Sequence, residues 1–334
     1  MRKIECGGGQ HRAISHAERD WLARDPCFVA RRLQYWHAAA PLASGTCRTR
    51  ATCSHRAQAV VVILFAAGMS MAQMTPGNRA PAGNGALTGC AAELYQKAQR
   101  GKWFAEAMKW NPDILPTSDG KSFLVVWKAQ AKPRRWIVSL HGSEGFATDD
   151  LAIWHPHLKG RDVGIVCLQW WLGEGDRIGS YYTPEQIYRE IDNALQRIGV
   201  DPGAAMLHGF SRGSANSYAV MALDAGRGRR FFRLAVASSG GVSLDYPPTQ
   251  AILAGRYGKD ALKGTRWITA AGARDPHPDR DGISGMRRTA AWLKEQGAVV
   301  LHAVEDPEEG HGALVRNPAN ARRVLDLFFE DSMK

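Results

Sequence analysis

Gly209-Phe210-Ser211-Arg212-Gly213 follows an apolar run at 204–208 and opens a helical stretch that reaches about Leu223. Taken alone, Gly-x-Ser-x-Gly is a common pattern. Between a strand and a helix it reads as a nucleophile elbow, a turn so tight that the central serine sits in strained backbone above the end of a sheet. Glycines are needed on either side because a side chain there would strike the strand or the helix. The same turn aims the backbone N–H of Arg212 at the place where an oxyanion would form. The competing reading is a surface serine that merely caps a helix.

A serine hydroxyl is a poor nucleophile until a base takes its proton, so an imidazole must lie within hydrogen-bond reach. His311 is the candidate, in the polar loop Glu308-Glu309-Gly310-His311-Gly312 between the last strand and the final helix. His208 and His302 fall within strands, and His155, His157 and His277 come too early in the chain. The imidazolium formed during attack needs a carboxylate to orient and stabilise it. Asp275 is preferred, in Gly272-Ala273-Arg274-Asp275-Pro276, because a short turn off a strand end holds a carboxylate rigidly; Asp279 and Asp281 in the same loop are rivals.

The rest of the chain alternates short apolar runs with amphipathic stretches. Strands are expected at 122–128, 136–140, 163–168, 204–208, 234–237, 267–270 and 299–304. Thr183-Pro184-Glu185-Gln186 combines an N-cap, a first-turn proline and a capping-box glutamine, and Ile187, Ile191, Leu195 and Ile198 then share one face. Further helices are expected at 284–296, stopped by Gly297, and from Asn317-Pro318 onward, burying Val324, Leu325 and Phe328. The expected fold class is α/β, a mostly parallel central sheet with helices on both faces, in one domain at 88–334.

The order Ser211, Asp275, His311 together with the elbow resembles that of the α/β-hydrolase superfamily, especially its compact secreted esterases and dienelactone-hydrolase-like members. His141-Gly142-Ser143-Glu144-Gly145, directly after the strand at 136–140, is similar to the family's oxyanion-hole loop, although it lacks a run of glycines, and Ser214 stands where a glycine often follows the elbow. The resemblance implies that a second backbone N–H, that of Ser143, joins Arg212 at the oxyanion, with His141 tying the loop in place. It also places the substrate cleft beside Leu168-Gln169-Trp170-Trp171-Leu172, Tyr181 and Tyr182. Trp170 and Trp171 either grip an aryl or sugar-bearing group there by stacking or pack a helix onto the sheet. Arg212 either meets an acidic substrate group or pairs with a neighbouring carboxylate. The implied activity is hydrolysis of a small-molecule or polymer-borne carboxylic ester through an acyl-enzyme, a chemistry that needs no metal or organic cofactor. Peptidase, thioesterase or acyltransferase activity would use the same residues, and a non-catalytic binding protein on this fold is the remaining alternative.

The charge of +11 on 334 residues raises the question of a nucleic-acid partner. Residues 1–72 hold ten Lys/Arg against four Asp/Glu, so over half of the surplus sits there and the rest is thinly spread; no nucleic-acid partner is expected. Residues 57–72, ending in Ser70-Met71-Ala72 after Arg48, Arg50 and Arg56, have the make-up of a signal-peptide hydrophobic region but are short for a membrane span. The expectation is export to the periplasm or beyond, with membrane contact only in passage. Residues 1–56 are then a basic leader or a mis-assigned start, and 73–87 a linker. Four of the six cysteines precede residue 57; for the other two, a Cys90–Cys167 disulfide is allowed, with a buried free thiol at Cys167 the alternative.

Overall fold

The computed structural model describes residues 86–226 and 228–330, so the leader, the hydrophobic region at 57–72 and most of the linker lie outside the described residues. In chain order the elements are α1 (Gly89–Ala98), α2 (Phe104–Met108), β1 (Asp113–Pro116), β2 (Phe123–Lys128), β3 (Arg135–Leu140), α3 (Ala147–Leu158) and β4 (Val163–Leu168). Then come α4 (Pro184–Arg197), β5 (Ala205–Phe210), α5 (Arg212–Gly226), β6 (Phe232–Ser238), α6 (Pro247–Leu253), β7 (Arg266–Gly272), α7 (Ile283–Glu295), β8 (Val299–Asp306), α8 (Ala313–Arg316) and α9 (Pro318–Phe329).

The strands form one eight-stranded sheet in the order β1-β2-β4-β3-β5-β6-β7-β8. From β4 to β8 every pairing is parallel, while β1 and β2 run antiparallel at one edge. The central strands are buried on both faces, which is why β3, β4 and β5 read as continuous apolar runs rather than alternating ones. Strand β1 was not expected; it has four residues, two of them flanked or occupied by Pro112 and Pro116, and is recruited by its antiparallel register with β2.

Helices α4, α5 and α7 cover one face, burying Ile187, Tyr218 and Trp292 against Val138 and Leu207. Helices α3 and α9 cover the other, with Leu151, Trp154, Val324 and Phe328 against Ile137 and Met206. The sequence signals at the helix starts act as read. Thr183 Oγ1 accepts the Gln186 N–H and Gln186 Oε1 accepts the Thr183 N–H. Asn317 Oδ1 caps α9 through the Ala319 N–H at 3.0 Å. No disulfide joins Cys90 and Cys167: Cys90 is an exposed thiol on α1, and Cys167 is a buried one in β4, where burial pushes its pKa up. Among the described residues no helix is long and apolar enough to cross a membrane.

Candidate active site

Ser211 sits between β5 and α5 with φ of 54°, in the left-handed region that a side chain adopts only when its surroundings impose it. Its N–H donates to the Ser238 carbonyl at 2.9 Å, pinning the turn to β6. The flanking glycines are required by contact. A Cβ at Gly209 would lie 2.5 Å from the Gly213 carbonyl oxygen, and one at Gly213 would lie 2.1 Å from that of Leu140.

Strands β7 and β8 deliver the other two members of the set to the same edge. His311 Nε2 is 3.0 Å from Ser211 Oγ, and His311 Nδ1 is 2.8 Å from Asp275 Oδ2. A carboxylate can only accept, so Nδ1 carries the imidazole proton and Nε2 presents its lone pair to the serine hydroxyl. Asp275 is buried, and its Oδ1 accepts the His277 N–H at 2.9 Å, which fixes the carboxylate's rotation. The edge of the Phe210 ring lies against His311 at 5.0 Å between centroids, limiting the imidazole's swing.

The rival acids separate cleanly. Asp279 is exposed. Asp281 is buried, but its Oδ2 takes both Nε and an Nη of Arg280, at 2.9 and 2.6 Å. Asp275, Asp281 and His311 present ligand atoms within 4.8 Å of one another, a grouping with metal-ligating residue types. Both imidazole nitrogens are already engaged, Nδ1 by Asp275 and Nε2 by Ser211.

The loop after β3 lies directly over the elbow: a Cβ at Gly142 would be 3.3 Å from Ser211 Cβ. His141 is buried beneath it. Its Nδ1–H donates to the Gly142 carbonyl at 2.8 Å, and its Nε2 accepts the Trp170 N–H at 3.4 Å. Burial holds the imidazole's pKa down at about 4, so the ring is neutral and structural.

Ser143 and Glu144 are held from the far side. Arg212 Nε donates to Ser143 Oγ at 3.0 Å, and its guanidinium pairs with Asp176 Oδ1 at 2.9 Å. Asp176 Oδ1 also accepts the Tyr181 hydroxyl at 2.6 Å, and that hydroxyl accepts the Glu144 N–H at 3.1 Å. The guanidinium lies 4.4 Å above the Tyr181 ring, and Glu144 itself has φ of 53°. These contacts close a ring that runs Ser143, Arg212, Asp176, Tyr181, Glu144. Burial first, and Asp176 second, push the Tyr181 phenol up to about 12, so it stays a protonated donor. Arg212 is thus paired with a carboxylate of the protein.

The two tryptophans part company. Trp170 is buried, stacks on His141, and donates its indole N–H to the His141 carbonyl at 3.1 Å, while another part of it lines a cavity described below. Trp171 is half-buried, bonds the Gly175 carbonyl at 2.8 Å and is not among that cavity's walls. Asp176, and Tyr181 as a clamp on the loop, were not singled out from sequence. Asp176 lies in a glycine-rich stretch where a lone carboxylate carries no signal.

No protein-family model and no curated protein matches the sequence. Solved structures do. A hyperthermophilic esterase from Pyrobaculum calidifontis is 16% identical, with 71% of this chain and 91% of that one covered at a TM-score of 0.51. A phospholipase/carboxylesterase from Dyadobacter fermentans is 18% identical, with 62% and 96% covered and a TM-score of 0.45. Acyl-protein thioesterase 2 from Zea mays is 17% identical, with 62% and 99% covered and a TM-score of 0.45. At these identities the likeness is one of fold. The chain has the α/β-hydrolase fold.

Proposed function

We propose that this protein is a serine hydrolase that cleaves carboxylic esters through an acyl-enzyme. The observation that carries this reading is the unbroken relay from Ser211 Oγ through both nitrogens of His311 to Asp275. Ser211 Oγ attacks the ester carbonyl carbon while His311 Nε2 takes its proton. Asp275 keeps Nδ1–H in place and stabilises the imidazolium. The backbone N–H groups of Ser143 and Arg212 receive the oxyanion, and His311 returns the proton to the departing alkoxide. Water, deprotonated by the same nitrogen, then attacks the acyl carbon, releasing the acid and restoring Ser211.

The test is Ser211→Ala. Hydrolysis of short p-nitrophenyl esters should fall by about 10⁶-fold, and labelling by a fluorophosphonate probe should vanish. Turnover surviving near the wild-type rate would remove Ser211 from the role. Loss of labelling without ester turnover in the wild type would direct the same residues to amide, thioester or transfer chemistry. The composition of residues 57–72 supports work outside the cytoplasm. Mass spectrometry of the native protein should find a mature N-terminus near Gln73, and peptides from residues 1–45 would overturn that part.

A further inference from the structure

Beside the elbow lies a cavity of about 210 Å³ whose walls come from the segment 170–185, the start of α5, and the segment 246–257. It begins one residue from the nucleophile: Arg212 and Asn216, on successive turns of α5, form one side. Trp170, Tyr181, Tyr182, Tyr246 and Tyr257 supply rings, and Pro184, Pro247 and Pro248 supply aliphatic faces that carry no N–H.

The polar groups of these rings are already used. Tyr181 and Tyr182 donate to Asp176 and Asp119 at 2.6 and 2.7 Å. Tyr257 donates to Glu185 at 2.9 Å, and the Tyr246 oxygen accepts from Asn216 at 3.0 Å. The Trp170 indole N–H is spent on the His141 carbonyl at 3.1 Å. The tyrosines therefore offer faces and edges to an occupant. A sugar ring would bring several hydroxyls and find the polar groups of the rings committed, with only exposed side chains such as Arg256 and Glu185 left to meet them. An aryl ring asks only for apolar contact and offset or edge-on ring neighbours, which these walls provide. The cavity is smaller than the roughly 300 Å³ at which drug-sized sites start. A single ring fits within it.

Resting on the ester-hydrolase reading, we propose that this cavity is the specificity site and that it takes the single aromatic ring of an aryl-bearing ester. Exposed Arg256 stands at the cavity's edge, where a polar ring substituent would remain in reach of water.

The experiment compares ring esters with open-chain esters of equal carbon count: benzyl acetate against heptyl acetate, and methyl phenylacetate against methyl octanoate. At least one ring ester should exceed its partner in kcat/KM by about tenfold, the size of one favourable aromatic contact. Ala251→Trp, which puts an indole into the cavity from a buried wall position, should bring that ratio close to one. Tyr257→Ala, which removes a wall, should lower it too, and decides the matter if the tryptophan variant fails to fold by circular dichroism. Open-chain esters turned over as well as both ring esters, or a preference that survives in the folded variants, would overturn the proposal. Binding of benzyl alcohol to Ser211→Ala protein reads the cavity without turnover. Saturable binding that Ala251→Trp weakens, with no ester hydrolysed by the wild type, would count against the ester reading and leave the ring site standing; no binding would count against the ring site.

Discussion

Arg212 Nε donates to Ser143 Oγ at 3.0 Å, so the two residues expected to offer backbone N–H groups to an oxyanion are also joined through their side chains. That side-chain bond depends on Asp176, which holds the same guanidinium at 2.9 Å and the Tyr181 hydroxyl at 2.6 Å. Asp176 touches neither Ser211 nor His311. Its removal should loosen Ser143 and Glu144 together while leaving Ser211 and His311 in place.

Asp176→Ala is therefore expected to lower kcat by about tenfold or more with little change in KM, a fraction of the 10²–10³ lost when an oxyanion donor is removed outright. Asp176→Asn keeps an acceptor for Tyr181 but loses the charge pairing, and should fall between. Steady-state kinetics on a short ester would check the order, and an unchanged kcat in Asp176→Ala would show that the loop holds itself.

Asp275→Asn should cost about 10⁴ in kcat, since an amide at that position stabilises the wrong imidazole tautomer. Asp281→Asn should cost less than about tenfold, because Asp281 serves Arg280 and makes no bond to His311. The comparison bears directly on the choice of acid. A larger loss at Asp281 than at Asp275 would reverse it.

What the sequence made legible was whatever is written locally or in chain order. Thr183 and Gln186 announce the start of α4 within four residues, and the two glycines around Ser211 announce a turn whose crowding they relieve. The meeting of Ser211 with Asp275 and His311 follows from parallel strands whose loops all emerge at one edge, so β5, β7 and β8 need only be recognised as strands. Less was available for contacts made by folding one loop over another. Asp176 gains its role because the segment after β4 returns to bridge Trp171 with Tyr181, and nothing in Gly173-Glu174-Gly175-Asp176 states that return. Tyr246 and Tyr257 reach the same cavity as Tyr181 only through the packing of α6 against α5.

Cysteine reactivity should divide sharply. Cys90 is exposed, whereas burial and nearby Asp150 raise the pKa of Cys167 in β4, which withholds the reactive thiolate. Brief alkylation of the native protein, mapped by mass spectrometry, should modify Cys90 and spare Cys167 until denaturant is added. Equal labelling of both in the native state would contradict the packing of β4.

The buried polar row behind the elbow predicts how stability varies with pH. His208 Nδ1 accepts from Trp154 Nε1 at 3.1 Å and lies 2.9 Å from Ser139 Oγ, while Asp150, hydrogen-bonded to Ser139, is buried with its Oδ2 unpartnered. Burial accordingly raises Asp150 from 3.8 to about 8 and lowers His208 and His141 from 6.5 to about 3 and about 4. Between about pH 4 and 6.5 the unfolded chain binds protons at both histidines that the folded one refuses, so each of them makes the fold less stable as the pH falls through that window. His155 and His157, also lowered by burial, act in the same sense. Asp150 works the other way, because above about pH 4 the unfolded chain gives up a proton that the folded one keeps. From pH 6.5 toward 8 only that contribution remains among these groups, and stability should decline again. Denaturant unfolding at pH 5, 6.5 and 8 should therefore show a maximum near pH 6.5. Asp150→Asn should flatten the alkaline side and steepen the acid side. Wild-type stability that climbs from pH 6.5 to 8 would mean that Asp150 is ionised in the fold.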